Sequence, residues 1–155
     1  MSLGPTTCPP SLKTTLQGRW LWWVVVNGEV RWTGADGYVG TTSGGKSFEI
    51  YGDSSPSPTE MVIHAHAACS LIDVIDGLKH RVENVEYARV EIEVEMAEGF
   101  PKVFTSVNMK YTLKGDVPET LVRRLIESSH ETYCRIGIMI TRSGASLDWS
   151  LDIRP

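Results

Sequence analysis

Only three cysteines, Cys8, Cys69 and Cys134, occur in 155 residues, and they form no CxxC pair and no metal-ligand spacing. That gives a structural zinc site no support and leaves each, in a reducing compartment, a free thiol that behaves as a small apolar residue. Basic charge is sparse as well. Nineteen Asp and Glu against fifteen Lys and Arg leave a formal charge of −4, and no basic run exceeds the pair Arg123-Arg124. Nothing in that distribution tracks a phosphate backbone, so no nucleic-acid partner is expected. Long hydrophobic runs are missing too: the longest, WLWWVVV at 20–26, has seven residues, where a bilayer needs about twenty. No membrane association is expected. The N-terminus shows no basic segment followed by an apolar stretch of signal-peptide length, so a cytoplasmic protein is expected, with MSLG open to being a cloning remnant.

What is present is ordinary for one soluble globular domain, with 41% apolar and 22% charged residues. Residues 1–18, rich in Thr, Pro and Ser and without periodicity, read as a poorly ordered leader, and 19–155 as a single domain. The stretch RWLWWVVVNGEVRWTG holds two β-rich runs around Asn27-Gly28, a dipeptide suited to a tight hairpin turn. Further turns surround a short strand in TGADGYVGTTSGG, and KSFEIYG reads as another.

The most legible element follows. Ser57-Pro58-Thr59-Glu60 offers an N-cap serine, a proline at the first helical position and a glutamate placed to close a capping box. The pattern predicts a helix from there to about His80, with Gly77 a weak point near its end. Between Met61 and Ile75 it is apolar on nearly every side. In a domain this small, such a helix should be covered by sheet on one side and by another subunit on the other.

Beyond it, VEYARVEIEVEM puts Val90, Ile92, Val94 and Met96 on one face and Glu91, Glu93 and Glu95 on the other. SVNMKYTLKG turns Val107, Met109, Tyr111 and Leu113 inward and Lys110 and Lys114 outward, as the antiparallel neighbour. DVPETLVRRLIESSHETYC predicts a second, amphipathic helix capped by Asp116, with Leu121, Val122, Leu125 and Ile126 as its stripe. SLDWSLDIRP closes the chain as a strand with Leu147, Trp149, Leu151 and Ile153 on one side. Strands, a long helix, two strands, a helix and a strand make an α+β pattern.

Chemistry concentrates around Cys69. On a helical wheel His66, Asp73 and Asp76 fall within about 60° of it, while His64 points elsewhere. A histidine one turn before a cysteine can accept its proton or hydrogen-bond its thiolate, and the thiolate is the nucleophilic form. The plainer reading makes Cys69 a small core residue that allows close helix approach and His66 a satisfied core histidine. Glu60 lies about 180° around and roughly 13 Å along the axis from Cys69. A functional role for it requires delivery across a subunit interface, and its plain role is the capping box.

Taken in order, SPSPTEMVIHAHAACSLIDVIDGL, FPKVFTSVNMKYTLKG and LIESSHETYCRIGIMI resemble the OsmC-like family, which includes the osmotically inducible protein C and organic hydroperoxide resistance branches. The resemblance runs over about residues 29–153. It implies antiparallel sheets wrapped around a long buried central helix in an intertwined homodimer. It also implies a thiol peroxidase site in which Cys69 matches the peroxidatic cysteine and Cys134 the resolving one. An organic hydroperoxide would then be the substrate and an external dithiol the reductant, with no cofactor. Glu60, His66 and Asp73 are the supporting candidates; Cys8 matches nothing in the family. The hydroperoxide-resistance branch holds its thiolate with an arginine, where the aligned residue here is Ala35, leaving Arg31 or Arg19 as substitutes. That branch also has its glutamate one position earlier, at Thr59, so Glu60 points to a less characterised subgroup. Two other readings stay open: a non-catalytic or weakly active dimer that binds a small apolar or thiol ligand at its interface, and a metal-dependent site of Cys69, His66 and Asp73.

Overall fold

The computed structural model describes residues 26–35 and 37–155 in full and the backbone of 15–16 and 19–20. Cys8, most of the expected leader, most of the first arm expected before Asn27-Gly28, and the Arg19 side chain lie outside the described residues. Strands β1 (Thr15–Leu16) and β2 (Arg19–Trp20) form a minimal antiparallel pair. Next come β3 (Gly28–Gly34), β4 (Gly37–Thr42) and β5 (Ser47–Ile50), an antiparallel sheet in that order.

The central helix α1 (Pro58–Leu78) begins as its sequence dictates. Ser57 Oγ accepts the Glu60 N–H at 3.3 Å, and Glu60 Oε2 accepts the Ser57 N–H at 2.7 Å. A tighter turn, Lys79–Asn84, carries the chain into β6 (Val85–Met96), which pairs antiparallel with β7 (Phe104–Gly115). Glu faces Lys outside, as in the Lys114 to Glu86 ion pair at 2.6 Å. Val107, Met109, Tyr111 and Leu113 are buried inside.

The second helix, α2 (Glu119–Ser128), starts later than expected, because Pro118 and not Asp116 occupies its cap. Proline disfavours helical geometry at the residue before it, so Val117 stays in a turn, its N–H bonded to the Gly115 carbonyl. The expected apolar stripe holds, with Val122 and Ile126 fully buried. A wide turn, Ser129–Tyr133, then leads into a third helix, α3 (Arg135–Arg142), that the sequence reading did not identify. The last strand, β8 (Ser146–Arg154), returns beside β7 in parallel, so this sheet is mixed where an antiparallel one was expected. Two helices intervene between β7 and β8, and such a crossover brings the chain back to the same end of the sheet.

Helix α1 lies across this sheet and against α2 and α3. Only one stripe of it, His66, Ala67, Ser70, Val74 and Leu78, is buried within the chain. Val74, Leu78, Tyr111, Leu113, Val122 and Ile126 are 0–1% exposed and form the centre of the core, each such burial stabilising by about 1.5–3 kcal/mol. On the far side Ile72 remains 57% and Val62 42% exposed. Among the described residues Pro58–Asn84 is the one helical stretch long and apolar enough to cross a membrane. Its middle turns, however, hydrogen-bond through Ser70 and Asp73 to other elements, as the central helix of a folded domain does.

Candidate functional site: two thiols at a helix start

Cys134 ends the wide turn and caps α3. Its N–H donates to the Ser129 carbonyl at 2.8 Å, and its sulfur accepts the Gly137 N–H at 3.4 Å. A thiol as N-cap is unusual, since serine, threonine, aspartate and asparagine dominate that position. It turns the sulfur toward α1, where it meets the His66 carbonyl and has Cys69 as a neighbour. Cys69 is partly accessible and Cys134 fully buried. Burial pushes the Cys134 thiol up to about 12; the Gly137 N–H opposes this, while the neighbouring Cys69 and Asp73 add to it. Cys134 is therefore held protonated, its S–H donated to the His66 carbonyl at 3.9 Å.

Behind the thiols runs a chain of polar side chains. Asp73 Oδ2 accepts the Ser129 hydroxyl at 2.8 Å, Ser129 Oγ lies 3.1 Å from Ser70 Oγ, and Ser70 Oγ lies 2.5 Å from Tyr111 Oη. Tyr111 Oη in turn lies 3.0 Å from His130 Nε2. Ser129 Oγ is the donor toward both Asp73 and Ser70, and the carboxylate only accepts, so the network ends on Asp73. His130 Nδ1 is buried with no partner among the described residues. Burial, and secondarily His66, lower His130 to about 4, so it is neutral at physiological pH. Burial likewise raises Tyr111 well above the ordinary phenol range.

His66, expected beside Cys69, is fully buried and meets His130 edge to face, ring centroids 6.0 Å apart. Neither of its ring nitrogens has a partner among the described residues, and burial lowers its basicity. Its Nε2 faces Gly137, where a Cβ would stand 2.5 Å from that nitrogen and 3.3 Å from Cys134 Sγ. Only glycine allows this approach.

Glu60 is not brought to Cys69 within the chain. It is exposed at the start of α1, where the Ser57 hydroxyl and N–H hold its carboxyl below the usual range. Ala35 sits in the β3–β4 turn with its carbonyl accepting Trp32 Nε1–H at 2.9 Å, and Arg31 is exposed on β3. Among the described residues no three His, Cys, Asp or Glu side chains are grouped to hold a metal ion, so the Cys69, His66 and Asp73 metal set has no geometric support. Sequence reasoning missed Ser70, Tyr111, Ser129, His130 and Gly137. Ser70 was visible as a polar residue on the buried stripe of α1; the others lie on separate elements and carry no local signal of convergence.

The family model for OsmC-like proteins matches residues 51–150. Protein YhfA of Escherichia coli K12 is 30% identical over 118 residues, covering 74% of this chain and 88% of YhfA. An OsmC-like protein from Mycoplasma pneumoniae superimposes with a TM-score of 0.72 over 85% of this chain and 99% of its own, at 8% identity. The organic hydroperoxide resistance protein OsmC from Legionella pneumophila does so with 0.58 over 87% and 100%, at 15% identity. At those identities the two structures share the fold. The chain belongs to the OsmC-like family.

Proposed function

We propose that this protein is a thiol-dependent peroxidase that reduces organic hydroperoxides and works as a homodimer. Cys69 is the nucleophile and Cys134 the resolving thiol. The observation that carries this reading is the placement of a partly accessible thiol, Cys69 on α1, as neighbour to a buried one, Cys134 at the start of α3. The substrate class rests on likeness to the Legionella organic hydroperoxide resistance protein.

In the first step the Cys69 thiolate attacks the peroxide. A sulfur–oxygen bond forms, the O–O bond breaks, the alkoxide leaves with a proton as alcohol, and Cys69 becomes a sulfenic acid. Cys134, kept protonated until then, next attacks that sulfur. A disulfide forms, the sulfur–oxygen bond breaks and water departs; an external dithiol restores both thiols and is itself oxidised to a disulfide. In this reading Asp73 orients the turn that carries Cys134 by accepting the Ser129 hydroxyl. Glu60 serves α1 as its cap.

Mixing the reduced protein with cumene hydroperoxide tests this. We expect loss of both site thiols, a Cys69–Cys134 disulfide by peptide mass mapping, and an inert Cys69→Ser variant. If wild type and variant consume peroxide equally slowly, the reading fails. The chain would then be a non-catalytic dimer that takes a small apolar or thiol ligand near Ala68, Leu71, Ile72 and Ile75, which line an apolar hollow on α1.

A further inference from the structure

Resting on that reading, we propose that His66 is the general base of the resolving step. It takes the Cys134 proton as that sulfur attacks the Cys69 sulfenic acid, and returns it to the departing hydroxide as water. One S–S bond forms, one S–O bond breaks, and the proton passes from Cys134 through His66 to the leaving oxygen, so no outside reactant is needed.

Three observations meet here. First, His66 is 0% exposed and both of its ring nitrogens lack a partner among the described residues. An unpaired buried polar group is costly, and native interiors hold few of them. Second, a Cβ built on Gly137 stands 2.5 Å from His66 Nε2 and 3.3 Å from Cys134 Sγ, so base and thiol lie within about 6 Å across a residue without a side chain. A small shift of α3 on α1 would bring the two within hydrogen-bond reach. Third, Cys134 needs a base. Burial holds its thiol far above the ordinary range, so a free thiolate is scarce at pH 7.

A neutral imidazole can take a proton from a far weaker acid as the new bond forms, as it does for the serine hydroxyl of hydrolases. Burial lowers His66, which keeps it neutral and its lone pair available. The titratable groups around it are His130 on the wide turn, with Tyr111 of β7 behind it, Cys134 at the start of α3, and Cys69 and Asp73 on its own helix. None of these carries a positive charge at neutral pH that would oppose a transient imidazolium.

The test needs no peroxide. In a Cys8→Ser background, 5,5′-dithiobis(2-nitrobenzoate) caps Cys69 and releases one thionitrobenzoate; attack by Cys134 then releases a second. For wild type we expect a second rate that is level between pH 7 and 8. In His66→Gln the ratio of second to first rate constant should fall about 100-fold at pH 7. Its second rate should then rise about tenfold per pH unit, as hydroxide replaces the base. Gly137→Ala keeps the imidazole but displaces its Nε2, 2.5 Å from the added Cβ, away from the sulfur, and should shift the ratio the same way even if His66→Gln fails to fold. A purely structural role would slow both releases together and leave the pH slope flat, which overturns the inference. If resolution depends on His66 while cumene hydroperoxide is untouched, the peroxidase reading falls and the base stands. If peroxide is reduced and the ratio is unchanged, the reverse holds.

Discussion

His66 and His130 occupy the interior beside Cys134 as neutral imidazoles, both less basic than in water because burial disfavours their charged forms. This ties stability to acid. In an unfolded chain an imidazole takes up its proton near pH 6.5, whereas folded His130 resists down to about 4. Between those values the unfolded state binds more protons. The contribution is therefore complete above pH 6.5 and is lost as pH falls toward 4, by at most about 1.4 kcal/mol per pH unit for each proton taken up. Urea titrations at pH 7 and pH 5 should show a lower midpoint at pH 5, before most carboxylates begin to titrate. A midpoint that does not move would mean that these rings are already charged or solvated in the folded protein.

At the scale of elements, helix starts decide which side chains face one another. The Ser57–Glu60 capping box fixes the first turn of α1, and its periodicity then sets His66, Ser70 and Asp73 on one side. Ser57→Ala removes the oxygen that accepts the Glu60 N–H and should cost about 1 kcal/mol of stability, read as a lower urea midpoint with an unchanged slope. That start was legible because capping chemistry is local, and so were β6, β7 and β8, whose alternation of apolar and polar residues is written residue by residue. Helix α3 was not legible. Its cap is a thiol, its body of eight residues is short, and Ile136, Ile138 and Ile140 alternate as a strand would. Asp116 misled for the opposite reason, being a good cap residue set two positions before a proline. The two cysteines could be paired from the sequence only by resemblance to the family. Their actual neighbours, Gly137 above all, depend on how α3 crosses α1, which no local pattern encodes.

At the scale of the whole molecule, the described chain leaves large apolar side chains open on two of its faces. Ile72 and Val62 on the outer side of α1 are exposed, and so are Val30, Trp32 and Phe48 on the β3–β5 sheet. Monomeric proteins rarely keep contiguous apolar faces of this kind, and a helix apolar on most sides needs cover on both. A second copy of the chain, with α1 laid against α1, would supply that cover by a self-complementary contact and would close the hollow lined by Ala68, Leu71 and Ile75. Ile72 stands over half exposed at its edge, so Ile72→Glu places like charges opposite each other across such a contact while leaving the buried stripe of α1 untouched. Sedimentation at micromolar concentration should give a dimer for wild type and a shift toward monomer for Ile72→Glu. Peroxide reduction should fall with the dimer fraction, because Cys69 lies on the same helix and is partly exposed in the single chain. A monomeric wild type with full activity would separate the two thiols' chemistry from assembly and leave the apolar face of α1 without a role.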